Sequence, residues 1–209
     1  MLRSRFVLTL VMALFLPALA FANSTNVTLT YLHPGGNSHG GVFTYPYYFS
    51  IDGGAPTAMM CDSFTNHIFP SQTWSASVTG LLKGKGFFGK DTLDYKAAGI
   101  IFLGVMNGTI DANVGNWAVW NLFTKGITSD SAVLALDSKA IFLAKHTPGS
   151  ALKGLVLYTP AGGKPGSGPQ EFIGYNPRAM ATPEPGTLLL LATGLTGIGL
   201  AVRRKFARA

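Results

Sequence analysis

Few side chains in this sequence can do covalent chemistry, and the first is a lone thiol. Cys61 stands in "MMCDSFTNH", with His67 six positions later. A thiol attacks as its thiolate, so catalysis needs a nearby base or positive charge, and the sequence does not fix the distance from Cys61 to His67. The plainer reading is a buried thiol packing as a small hydrophobe. With one Cys in 209 residues, no internal disulfide can form. His33, His39, His67 and His146 lack the paired spacing of a metal site, so neither metal nor cofactor is assigned. Asp52, Asp62, Asp91, Asp94, Asp111, Asp130 and Asp137 read as solvated loop and helix-cap positions with no tight carboxylate cluster. Tyr45, Tyr47, Tyr48, Trp74, Trp117 and Trp120 are able to stack on sugar rings, although aromatics at strand and helix periods read first as core. Asn23, Asn26 and Asn107 begin Asn-x-Ser/Thr triplets, to which no glycosylation is assigned.

The elements that must position these residues change type along the chain. "NVTLTYL", "GVFTYPYYFSID", "TAMMCDSF" and "TWSASVTGLL" carry β-branched and aromatic residues between Gly, Pro and Asn breaks, which predicts strands. In "DYKAAGIIFLGVMNG" the apolar residues Tyr95, Ala98, Ile101, Phe102 and Val105 fall at helical spacing, and Asn107-Gly108 marks a stop. "NVGNWAVWNLFTKG" places Trp117 and Trp120 on one helical face with Phe123 on an adjoining stripe. Ser129 and Asp130 are cap candidates for a third helix, "SAVLALDSKAIFLAKH", which ends before Pro148. Strand character returns in "LKGLVLYTP" and "QEFIGYN", separated by "AGGKPGSGP", a loop whose composition offers little to pack. Strands, a helical block and strands again predict an α+β domain: an antiparallel sheet or partial barrel with about three inserted helices.

The two ends have a different character. "MLRSRFVLTLVMALFLPALAFA" has Arg3 and Arg5, an apolar stretch, and small residues at Ala20 and Ala22, the pattern of a signal peptide cut by signal peptidase after residue 22. At the other end, about 16 uncharged positions from Thr187 to Val202 are just short of the ~17 to 25 of an ordinary membrane span. Arg203, Arg204, Lys205 and Arg208 follow, an excess of positive charge that marks the cytoplasmic side of the inner membrane. The formal net charge of +7 is concentrated in these ends, and residues 23–186 keep ten basic against nine acidic side chains. A nucleic-acid partner is therefore excluded. The resulting division is a signal peptide at 1–22, one domain at 23–176, a linker at 177–182, and a terminal signal at 183–209 containing a helix over 187–202.

Pro183, Glu184 and Pro185, followed by Gly186, the apolar run and the basic end, resemble the PEP-CTERM sorting signal of exopolysaccharide-producing bacteria. The resemblance implies recognition by an exosortase in the inner membrane and removal of the tail. The protein would then be anchored only transiently and would end at the cell surface or in the extracellular matrix.

A second resemblance covers Thr57 to Phe123. "YPYYFSIDGG", "MMCDSFTNHI", "TWSASV", "YKAAGIIF" and "NWAVWNLF" follow in the order seen in bacterial surface thioester-type domains. In those domains a strand Cys is joined to the Gln of a helical Gln-x-Ala-apolar-Trp motif with loss of ammonia, and a nucleophile on a target surface attacks the acyl carbon. The resemblance implies that Cys61 holds the thiol position, that Ala118, Val119 and Trp120 end the helix motif, and that Asn116 stands where Gln is expected. Asn is one methylene shorter, which sets its acyl carbon back by about 1.3 to 1.5 Å, whereas a displacement of about 1 Å already costs a reacting pair much of its rate. The expectation is a thioester-like scaffold without the bond, in a non-enzymatic surface or matrix protein with a structural or adhesive role in exopolysaccharide. The alternatives are a secreted Cys-dependent enzyme and a carbohydrate-binding module.

Overall fold

The computed structural model describes residues 26–83, 85–89 and 92–176. The expected signal peptide, linker, sorting motif and membrane helix lie outside the described residues, as does Asp91. Among the described residues no helix is long and apolar enough to cross a membrane.

Six antiparallel strands close a barrel in the order β1 (Asn26–Pro34), β4 (Tyr47–Ile51), β5 (Thr57–Cys61), β8 (Phe172–Tyr175), β7 (Leu155–Pro160) and β6 (Thr73–Gly80), with β6 returning to β1. The expected partial barrel is thus closed, and closure removes the free edges that an open sheet would expose. A two-stranded hairpin, β2 (Ser38–His39) with β3 (Val42–Phe43), stands apart from the barrel. Its turn residues Gly40 and Gly41 have φ of 62° and 80°, the left-handed values that a tight hairpin turn demands at both central positions.

The strands are of two kinds, and the pattern of side chains decides which. β1 and β4 alternate: Leu29, Tyr31, Tyr47 and Phe49 fill the barrel interior, while the intervening Thr28, Thr30, Tyr48 and Ser50 are less deeply buried. β5, β8 and β7 are apolar on both faces. Met59, Cys61, Val156, Tyr158 and Phe172 point to the barrel interior, whereas Met60, Leu155, Leu157 and Ile173 pack into a second core beneath the helices. A strand covered on both sides has no need for polar alternation.

Three helices between β6 and β7 supply that cover: α1 (Thr92–Met106), α2 (Ala112–Phe123) and α3 (Ser131–His146). The α1 helix stops before Gly108, whose φ of 75° continues no helix. Asp111 caps α2 by accepting from the Asn113 and Val114 N–H groups at 2.9 and 3.0 Å, and Asp130 caps α3 through the Ala132 N–H at 2.8 Å. α1 and α2 approach closely at Gly115, where an added Cβ would lie 2.3 Å from Val105 Cγ2. The two indoles of α2 face the barrel side, with Trp120 in the interior cluster, and Phe123 packs on the adjoining core through Tyr95 and Phe88.

The Gly/Pro-rich loop after β7 is largely exposed and is held by hydrogen bonds: the buried Asn66 side chain donates to the carbonyls of Lys164, Gly168 and Pro169 and accepts from Gly166 N–H. One expectation is corrected. Asp62 and Asp137 are buried rather than solvated, Asp62 completely. Asp137 accepts from Asn121 Nδ2 at 2.6 Å, joining α3 to the end of α2.

Candidate functional site

Cys61 ends β5 and is fully buried in the barrel-interior cluster. Its Sγ donates to the Ser63 carbonyl at 3.4 Å and lies beside the Trp120 indole, although Trp120 Nε1 makes no hydrogen bond of ordinary geometry. Burial, and after it the neighbouring Asp62, push the thiol pKa up to about 12, against a weaker opposing effect from Trp120 and Ser63. The thiol therefore keeps its proton at neutral pH. His67 is exposed, on the segment beyond the strand, and no hydrogen bond connects it to the thiol. A thiol held in this way lacks the activation that nucleophilic catalysis requires.

The structure brings Asn116 to Cys61, but through the main chain. On α2, Asn116 is fully buried; its Nδ2 donates to the Cys61 carbonyl at 2.9 Å and its Oδ1 accepts from the Tyr45 N–H at 2.8 Å. Three residues earlier on the same helix, Asn113 Oδ1 accepts from Thr44 Oγ1 at 2.6 Å. Two asparagines one helical turn apart thus hold the 44–45 segment and the end of β5 against α2. Both ends of the Asn116 amide are engaged by backbone groups, while the thiol sits one turn further along the helix, at Trp120.

Beside this pair is a constellation that the sequence reading missed. Glu171, immediately before β8, is fully buried and collects its donors from three parts of the fold. Tyr95 Oη on α1 donates to Oε1 at 2.7 Å, the Phe87 N–H approaches both carboxylate oxygens at 3.1 and 3.0 Å, and Thr159 Oγ1 on β7 donates to Oε2. Tyr95 in turn accepts from the Phe88 N–H at 3.1 Å. Asp62 lies against Glu171: the Asp62 N–H donates to the Glu171 carbonyl at 3.3 Å, and the Glu171 N–H to Ser63 Oγ at 3.1 Å.

Neither carboxyl oxygen of Asp62 accepts a hydrogen bond of ordinary geometry from an N–H or O–H of the described residues. Burial first, then the charge of Glu171, raise the Asp62 pKa well above the usual carboxylate range, so Asp62 holds its proton. That proton faces Glu171, whose carboxylate already accepts from Tyr95, Phe87 and Thr159, and keeps two adjacent buried charges from arising. The same environment, burial before the charges of Asp62 and Glu171, raises the Tyr95 hydroxyl. The pair was missed because the sequence reading weighed the Asp residues alone: Glu171, in "QEFIGYN", stands directly at the head of an apolar strand run, and a charge in such a position was the available signal. Among the described residues no group of three or more His, Cys, Asp or Glu side chains is arranged to hold a metal.

Residues 181–205 match the family described as "PEP-CTERM protein-sorting motif", which includes Pro183, Glu184 and Pro185. No curated protein matches the chain. Among solved structures, the fold is similar to the N-terminal domain of the Streptococcus pyogenes pilus tip adhesin Cpa, at 13% identity and a TM-score of 0.43, covering 75% of this chain and 95% of that one. It is also similar to the N-terminal thioester domain of a surface protein from Clostridium perfringens, at 14% identity and a TM-score of 0.43, covering 73% and 99% of the two chains.

Proposed function

We propose that this chain is an exported, exosortase-processed protein of the cell surface or extracellular matrix, with a structural or adhesive role associated with exopolysaccharide. Its domain is non-enzymatic and carries no bond between Cys61 and Asn116. The sorting motif matched at 181–205 carries the surface assignment. The inert pair is supported by the Asn116 amide, engaged at 2.9 and 2.8 Å by main-chain partners, and by a thiol that stays protonated. Signal peptidase removes residues 1–22, the apolar run at 187–202 holds the chain in the inner membrane, and the exosortase then releases it near Pro183. Fractionation of cells expressing the intact chain and a chain lacking residues 183–209 tests this sequence of events. The intact chain is expected in the surface and matrix fractions in a shortened form, and the truncated chain elsewhere. Identical distributions would overturn the proposal.

A further inference from the structure

The domain has a cleft of about 450 Å³ at one side of the barrel, between the β2–β3 hairpin and the segment that follows β5. Two aromatic rings reach its opening, Phe43 from the hairpin and Phe64 from the segment, over a floor formed by the nearly buried Tyr31, Tyr47 and Trp120. Phe64 lies 5.3 Å from Trp120 and Tyr31 lies 6.2 Å from Tyr47 between ring centroids. His67 and Gln170 add polar edges. Tyr47 Oη donates to the Phe43 carbonyl and so ties the hairpin to the barrel, while Gln170 Nε2 donates to the Asn66 carbonyl at 2.7 Å and fixes the opposite side.

Three observations define the chemistry that fits. The volume falls in the ordinary range for small-molecule sites, roughly 300 to 1,000 Å³. No Lys, Arg, Asp or Glu lines the cleft, so nothing there compensates a ligand charge. Phe43, a cleft residue, is 53% exposed, and Phe69, next along the segment from the cleft residue Ile68, is 68% exposed. Apolar rings open at the rim of a cleft are free to pack on a ligand. A ligand that presents a C–H face to the rings of Phe43 and Phe64 and hydroxyl edges to the His67 imidazole, without charge, satisfies all three.

We propose that this cleft binds a neutral saccharide, one or two sugar rings at a time. This deepens the matrix association stated above by naming the ligand class and its site. The test uses the full chain purified in mild detergent, probed on an array of neutral and acidic glycans and then titrated with neutral hits while tryptophan emission is followed. Saturable binding of neutral glycans, followed by tryptophan emission, is expected, weakened about tenfold or more by Phe43→Ala and by His67→Ala, both at exposed positions. Phe142→Ala, at an exposed position on α3 away from the cleft, should bind like the parent chain. No neutral-glycan binding, binding confined to acidic glycans or to peptides, or equal affinity in all three variants would overturn the proposal. Loss of this binding alongside a normal surface distribution would reject the cleft while leaving the sorting proposal intact.

Discussion

Two fully buried polar groups flank Cys61, and they differ in how well they are served. The Asn116 amide has a donor for its oxygen and an acceptor for its nitrogen, both from main chain. The Asp62 carboxyl has, among the described residues, no N–H or O–H partner of ordinary geometry for either oxygen and is turned toward another buried carboxyl group, Glu171. The satisfied amide acts as a clamp between α2, β5 and the 44–45 segment, and is insensitive to pH. The carboxyl pair is complete only while one proton stays on it. Buried polar groups stabilise a fold when their partners are present and cost heavily when one is missing.

The largest expected effect comes from removing the acceptor on which most donors converge. Glu171→Ala leaves the Tyr95 and Thr159 hydroxyls and the Phe87 N–H without their acceptor, and should cost about 3 to 5 kcal/mol in chemical denaturation. Asn116→Ala strands the Tyr45 N–H and the Cys61 carbonyl, for a loss of about 2 to 4 kcal/mol in the same measurement. A loss below 1 kcal/mol for Asn116→Ala would mean that the clamp is dispensable.

The pH dependence separates the two groups. Asp62 keeps its proton when folded and loses it at an ordinary carboxyl pKa when unfolded, so the unfolded chain binds fewer protons above about pH 4. Through this group, stability is greatest below that pH and falls as pH rises toward the raised folded pKa, with a limiting slope of about 1.4 kcal/mol per unit. Asp62→Asn supplies an uncharged side chain with its own N–H donors for Glu171, and should remove that slope in urea titrations between pH 5 and 8. An unchanged slope would show that Asp62 is not the titrating group. The smallest effect belongs to a helix end: Asp111→Ala removes two cap hydrogen bonds from α2 and should cost about 1 kcal/mol of stability.

Legibility in the sequence followed the range of the interactions. Local patterns were readable: the β-branched and aromatic content of β1, the stop at Gly108, the Asp130 cap, and the period that puts Trp117 and Trp120 together on α2. Barrel closure was not, because the pairings of β1 with β6 and of β5 with β8 join distant segments, and no local pattern specifies which strand edges meet. The approach of Asn116 to Cys61 came from a resemblance, but its route through the main-chain carbonyl depends on the register of α2 over β5. Asp62 looked like a loop carboxylate because it follows a strand end, and only the packing of Glu171 and Tyr95 over it makes it a buried acid. Asn66 likewise gave no sign of organising the Gly/Pro loop, since its four partners lie about a hundred residues away.

The central claim is that the domain keeps Cys61 and Asn116 as separate side chains. Intact-mass spectrometry of the purified processed chain, combined with thiol titration before and after unfolding, tests it directly. The account predicts the full mass for the processed sequence and a single thiol that reacts only once the chain is unfolded. A mass lower by one ammonia, with no thiol titrating even after unfolding in the absence of nucleophiles, would contradict it.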